Sequence, residues 1–216
     1  MKNLLLALVA VLIAHSATAQ EKYPQGLYMS FGEIVSKSPS VQTDSVKVER
    51  RNVGVNGGND YKLISQSKTI KKTFKNEVWA YSDGDTLYVN GRNFNVQQGY
   101  ACAVADGQKY LSIYAATSGS AASTAAVTSA VAFGLTGAAF MGSAMADVRY
   151  YYAIDKTTGK LHLVTIKFLK EVLPDRNKEA YADFQKDLEI MDNVYNPNQK
   201  KSVKNVIIGK YARLLD

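Results

Sequence analysis

The chain is poor in the side chains on which most enzyme and metal chemistry depends: its 216 residues include one Cys and two His. One cysteine cannot close an intramolecular disulfide, so the fold must rest on its apolar core. Nor can so few Cys and His supply the three or four ligands of the common zinc sites. His15 lies in an N-terminal stretch expected to be removed, which leaves His162 as the single imidazole of the working protein. A Cys102/His162 dyad is the nucleophile–base pair left on paper. However, Tyr100-Ala101-Cys102-Ala103-Val104 reads as a strand, where Cys behaves as a small buried apolar residue. Dense charge blocks are missing too. The formal charge is +7, and the basic residues are spread along the chain. That surface favours anionic glycans or lipid headgroups. It lacks the basic stripe and recognisable module of a nucleic-acid binder, so no nucleic acid is expected as a partner.

The N-terminus is rich in what a leader needs. Met1 and Lys2 give a positive start, Leu4 to Ala14 is unbroken apolar sequence, and Ala17-Thr18-Ala19 supplies small residues before Gln20. This is the three-part pattern of a cleaved signal peptide over residues 1–19. The apolar run is shorter than the ~20 residues that span a bilayer. No Cys follows the small residues, which disfavours a lipid anchor. The expectation is an exported protein of the periplasm, outer membrane or extracellular space. Residues 20–216 then form a single domain carrying a formal charge of +6 once Lys2 is gone.

Ser30-Phe31-Gly32-Glu33 fits a capping box for a short helix from Phe31 to about Lys37, ended before Pro39. Ser45–Val55 and Tyr61–Lys72 read as two strands joined at Asn56-Gly57-Gly58-Asn59. Val78–Tyr81 and Thr86–Val89 form the clearest hairpin, because Asp83-Gly84 tolerates the positive φ of a tight turn. Gly99–Ala105 with Lys109–Ala115, and Tyr150–Ile154 with Lys160–Val164, make two more. Successive hairpins imply an antiparallel meander. Thr165 caps a helix to Leu173, and Pro174-Asp175 opens another. Its apolar face is Ala180, Tyr181, Phe184, Leu188 and Met191, at spacings of three and four. After the break at Asn196-Pro197-Asn198, a last helix from Ser202 carries Val203, Val206, Ile207 and Leu214 inward. The fold class is therefore α+β: an antiparallel β-meander with short helices, C-terminal helices and an insertion.

That insertion, residues 117–147, is the unusual part. From Tyr110 to Ala146 no side chain is charged. Small residues recur at every fourth position: Ala122, Ala126, Ala130, Gly134, Ala138, Gly142 and Ala146. On a helix they make one narrow face of the small-xxx-small kind. Twenty-six helical residues, 121–146, would extend ~39 Å, enough to cross a bilayer. Phe133 and Phe140 add apolar bulk. These nine residues are the candidate segment for a membrane, for an envelope protein partner or for self-association. The expectations are a membrane-embedded or membrane-associated helix or hairpin of two short helices, then a helix or hairpin buried in a soluble or oligomeric protein, and last a flexible loop, which would leave Phe133, Leu135 and Phe140 exposed.

Other sites weigh less. Asp83-Gly84-Asp85 offers hard oxygen ligands, yet a calcium loop takes six or more, so turn chemistry is the better account. Trp79 and the 14 Tyr could stack sugars, although on strands they more often pack the sheet. In Tyr150-Tyr151-Tyr152 successive side chains alternate faces, so at least one points away from the core. Tyr151 is the candidate exposed aromatic. No catalytic, metal or cofactor residue stands out, and no cofactor is expected.

Gly26-Leu27-Tyr28-Met29-Ser30-Phe31 with Ser38-Pro39-Ser40, Glu77-Val78-Trp79-Ala80-Tyr81-Ser82-Asp83-Gly84 with Leu87-Tyr88-Val89, and Tyr152-Ala153-Ile154-Asp155 with Thr158-Gly159-Lys160 carry a resemblance. In these segments the chain resembles uncharacterised secreted proteins common in Bacteroidota. The resemblance implies an envelope location and a small-residue insertion before the Tyr-Ala-Ile-Asp hairpin. It brings no activity. Two functions therefore stand as expectations. The first is a non-enzymatic envelope protein held at a membrane by its Gly/Ala-rich segment. The alternative is a soluble periplasmic or extracellular module that binds a glycan or peptide, with that segment buried.

Overall fold

The computed structural model describes residues 22–50, 61–74, 76–96, 99–116 and 149–216. The expected leader, residues 1–19, and the candidate segment within 117–147 lie outside them. In chain order the elements are β1 (Gly26–Tyr28), α1 (Phe31–Ser36), β2 (Val46–Arg50), β3 (Tyr61–Ser65), α2 (Lys68–Thr73), β4 (Ala80–Ser82) and β5 (Leu87–Asn90). A 3-10 turn (Gly91–Phe94) leads to β6 (Tyr100–Asp106), β7 (Tyr110–Ala116), β8 (Arg149–Asp155) and β9 (Leu161–Leu163). Three helices follow: α3 (Ile166–Arg176), α4 (Lys178–Asp192) and α5 (Pro197–Tyr211).

The strands make one antiparallel sheet in the order β1-β4-β5-β6-β7-β8-β9. β4 to β9 is an unbroken meander, which is the α+β architecture implied by the three hairpins. The β2–β3 hairpin joins at one point, where Tyr61 faces Tyr100 at the start of β6. Local chemistry closes the turns. Asp83 Oδ1 accepts from the backbone N–H of Asp85 and Thr86, and Gly84 takes φ +97°. Asp155 does the same between β8 and β9, accepting from Thr157 and Thr158, with Gly159 at φ +68°. At α1, Ser30 Oγ accepts from Glu33 N, while Glu33 reaches past Ser30 to Met29 N and also takes Ser40 N and Oγ. Lys37 ends the helix in the left-handed region.

Side chains alternate between two faces. One face carries Tyr28, Val89, Ala101, Leu111, Ile113, Tyr152 and Ile154, packed with Tyr23 and with Ile34 of α1. A bulge in β6 inserts Val104 between Ala103 and Ala105. It turns Asp106 onto this same face, where Tyr23 donates to it and Lys37 and Lys156 pair with it. The other face is covered by two separate units. The β2–β3 hairpin and Phe74, which follows α2, pack with Leu27, Tyr81 and Tyr100. Helices α3–α5 pack Leu169, Leu173, Phe184, Ile207 and Tyr211 over Tyr110 and Ala153.

Three local expectations are corrected. The return strand stops at Ser65 and residues 68–73 are helical, because Ser67 caps them and Ile70 is their lone large apolar residue. A strand there would have no face to bury. Pro174 opens no helix: α3 runs through it to Arg176, and Asn177 caps α4 by accepting from Ala180 N. Asn196 and Pro197 start α5 rather than merely ending α4. Consequently Val203, Ile207 and Tyr211 share the inward stripe at i, i+4 spacing. Val206 is 69% exposed, and Leu214 lies past the helix, 38% exposed.

Candidate functional site

Among the described residues the two covering units form separate clusters, and half-buried side chains of the sheet lie between them. Strand register sets the floor of this trough. Leu27, Tyr81, Tyr88, Cys102, Tyr114 and Tyr151 are successive cross-strand partners from β1 to β8. All six therefore point to the same face. The β1 end of this row is closed: Leu27 and Tyr81 are buried, and Tyr81 donates to Val46 O at 3.0 Å. The rest, Tyr88, Cys102, Tyr114 and Tyr151, is half-buried.

The aromatic rings form two pairs on either side of Cys102. Tyr61 of β3 lies 5.0 Å from Tyr88, and Tyr114 lies 4.6 Å from Tyr151, centroid to centroid. Tyr88 packs with the β2–β3 unit and Tyr151 with the helical unit. Tyr88 and Tyr114 sit two strands apart, roughly 10 Å at the usual ~4.8 Å spacing. A recess of about 520 Å³ opens beside Tyr61 and Tyr88, rimmed by Gln25, Arg50 and Asp83. Arg50 and Tyr61 are cross-strand partners and share a face. A smaller recess of about 250 Å³ lies at the turn between β6 and β7, lined by Val104, Gly107, Ser112, Arg213 and Asp216. Arg213 rests over the Tyr151 ring at 5.5 Å and donates to Gly209 O at 2.8 Å.

Charge is placed on both walls. Burial pushes the Cys102 thiol above its ordinary value; the Asp83 carboxylate adds to this and Arg213 opposes it. Burial, and then Asp83, push the Tyr88 phenol up to about 12. It stays protonated at neutral pH and donates to Asp83 Oδ2 at 3.4 Å. The trough offers flat rings, hydroxyls, a carboxylate and two guanidinium groups. With Tyr88 between Tyr61 and Tyr81, and Tyr151 between Tyr114 and Arg213, that set presents ring edges and hydrogen-bonding groups suited to a polyhydroxyl ligand.

The nine small and aromatic candidates from Ala122 to Ala146 lie outside the described residues. Tyr151 faces away from Tyr150 and Tyr152, as alternation requires, and is half-buried between Tyr114 and Arg213. Cys102 and His162 share a face but stand three strands apart, roughly 14 Å, too far for a dyad. His162 stacks on Phe168, and burial with Lys160 lowers its pKa. Trp79 packs against Phe31 and Phe94 on the opposite face. Among the described residues no group of His, Cys, Asp and Glu could hold a metal ion. The sequence reading missed Tyr61, Tyr88 and Tyr114 as a set. The signal available was that each falls at the same parity of its strand as Cys102 or Tyr151 once the register is known.

Residues 26–197 match DUF6563, described as a family of unknown function. The chain belongs to that family. No curated protein and no solved structure matches it. Membership of DUF6563 thus defines a shared fold region and assigns no chemistry, and the trough must be read on its own terms. No helix among the described residues is long and apolar enough to cross a membrane.

Proposed function

We propose that this DUF6563 chain is an exported, non-enzymatic binding module whose tyrosine-floored trough takes a carbohydrate. Residues 1–19 support export. The observation that carries the binding reading is the in-register row Tyr88-Cys102-Tyr114-Tyr151, left half-buried between two well-packed covers. Tyr rings present a broad apolar surface with a polar tip, suited to a ligand whose faces are apolar and whose edges carry hydroxyls. Arg50 and Asp83 at one end and Arg213 at the other supply edge donors and acceptors.

Affinity electrophoresis against a panel of soluble neutral and acidic polysaccharides tests this. At least one should retard the protein, and Tyr88→Ala and Tyr114→Ala should each weaken that binding by about tenfold or more. Circular dichroism should show both variants folded. Retardation by none of the panel sinks the reading.

A second reading rests on one sequence feature, the charge-free run 121–146. It would hold the module at a membrane or an envelope partner, or pair two copies. It is compatible with the trough, because the two use different residues. Release of the protein from the membrane fraction by an alkaline wash without detergent would remove the membrane form of this reading, and a monomer in sedimentation analysis the paired form.

A further inference from the structure

We infer that the carbohydrate is an acidic polysaccharide, held by the exposed cations of the β2–β3–α2 unit that walls one side of the larger recess. This rests on the carbohydrate reading above and adds the charge of the ligand and the part of the molecule that meets it.

Charge carries it. Residues 46–75 contain eight basic and two acidic side chains, a net +6. That equals the whole formal charge of residues 20–216, so the other residues of that span sum to zero. The fold gathers this charge on one covering unit. Lys47, Arg50, Lys62, Lys68, Lys71 and Lys72 are all exposed, and Glu49 is the one acid among the unit's described residues. Among the described residues none of the five lysines is in a salt bridge, whereas Lys37 and Lys156 share Asp106 and Lys210 pairs with Asp187. Within α2, Lys68 stands at i, i+3 and i, i+4 spacing from Lys71 and Lys72, where like charges repel. The first turn of that helix holds no acid to offset them or to favour the positive end of the helix dipole. Cations left uncompensated on a surface raise the local concentration of anions.

The same unit borders a cavity. Lys47 and Arg50 line the recess of about 520 Å³, together with Gln25, Tyr61 and Tyr88. Asp83, the one carboxylate lining it, already accepts from Asp85 N, Thr86 N and the Tyr88 hydroxyl. A ligand at this wall therefore meets cations and donors, which suits carboxylate or sulfate groups on a sugar chain. A lipid surface fits less well. Membrane-surface helices set basic residues beside an exposed apolar face. Here Ile70, the one large apolar residue of α2, packs with the core. None of the exposed large apolar side chains, Val35, Ile190, Tyr195, Val206 and Leu214, belongs to this unit.

The acidic probes are polygalacturonate, alginate and chondroitin sulfate. Methyl-esterified polygalacturonate and dextran are the uncharged ones, and vesicles of phosphatidylglycerol and phosphatidylcholine stand for a lipid surface. Binding is read by affinity electrophoresis and calorimetry across a range of salt. At least one acidic polymer should bind about tenfold tighter than either uncharged polymer. Its affinity should fall as salt rises, because exposed charges are screened. Lys68→Gln/Lys71→Gln/Lys72→Gln should weaken that binding about tenfold or more and flatten its salt dependence. Gln matches Lys in helix propensity, so α2 is kept. Lys47→Gln/Lys62→Gln, on the strands, should act in the same direction. Lys170→Gln/Lys201→Gln/Lys204→Gln removes the same charge from exposed positions of the helical cover and should leave affinity within about twofold. Equal losses from the two triple variants, or an uncharged polymer bound as tightly as the acidic ones, overturn the inference and leave the carbohydrate reading standing. Binding to the vesicles and to no polysaccharide removes both and makes the partner a lipid surface. Binding to none of the probes removes both as well.

Discussion

On the face that carries Val89, Ile113 and Ile154, none of these three side chains is measurably exposed, and they belong to one continuous cluster. On the opposite face the same strands carry Tyr88, Cys102, Tyr114 and Tyr151, all half-buried, between two covers that do not merge. The difference lies in residue type as much as in the covers. Aliphatic side chains have no stable place except inside, whereas a phenol can bury its ring and keep its hydroxyl wet. One face is committed to stability, and the other keeps a strip of surface in reserve.

The comparison can be broken first in the cores. Phe184→Ala, in the helical cover, should cost about 3–5 kcal/mol, and Ile113→Ala, on the closed face, about 2–5 kcal/mol. Urea unfolding followed by both far-UV dichroism and Tyr fluorescence should show one shared transition lowered in each variant. If Phe184→Ala shifts an early helical transition and leaves the sheet's midpoint in place, the cover is a separate unit and its wall of the trough is detachable.

Smaller effects distinguish the two covers. Thr165 Oγ1 accepts from Phe168 N at 3.1 Å and starts α3, so Thr165→Ala should cost about 1 kcal/mol. Ser67→Ala should cost less, because its bond to Ile70 N is 3.4 Å long and starts a helix of six residues. Equal costs would mean that α2 is held by its cap as firmly as α3.

Acid sharpens the comparison at the edge of the helical cover. Burial alone would push the Asp155 carboxyl up, but the backbone N–H groups of Thr158 and Thr157, with Lys109, outweigh it and hold the pKa below the usual range. A lowered folded pKa means that this contribution is complete above the unfolded value, about 3.9, and is lost as pH falls through the folded value. Asp155→Asn should therefore narrow its stability gap to the unaltered protein in that acid window. A constant gap down to the lowest pH would show that the carboxylate charge contributes nothing.

The smallest effect tests the helix register. Val206→Ser should change stability by no more than about 0.5 kcal/mol, while Ile207→Ser should be strongly destabilising. A large loss at Val206 would place a partner on the outer face of α5.

Local chemistry was legible where it depends on neighbours in sequence. Asp83-Gly84, Asp155 to Gly159, Ser30 and Thr165 mark their turns and caps because the groups that bond are two to four residues apart. The stripe through Ala180 and Phe184 reads directly as a buried helix face. Residues 66–73 misled because no Gly or Pro separates them from the strand that ends at Ser65, while the helix capped at Ser67 is anchored by Phe74, which packs only in contact with the sheet. Pro174 looks like a first-turn proline, but α3 tolerates it near its end. The Val104 bulge has no mark in Ala101–Asp106, and it sets the face on which Asp106 lies.

The sequence alone determined the α+β class, the order of the hairpins, the helical C-terminal third and the shortage of catalytic side chains, since these follow from periodicity, turn residues and composition. Tertiary structure decided the trough. Tyr61, Tyr88, Cys102, Tyr114 and Tyr151 are spread over five strands and 91 residues of chain. Cross-strand register and pleat put Tyr88, Cys102, Tyr114 and Tyr151 in one row, Tyr61 joins it through its ring contact with Tyr88, and among the described residues the two covers leave that row half-buried.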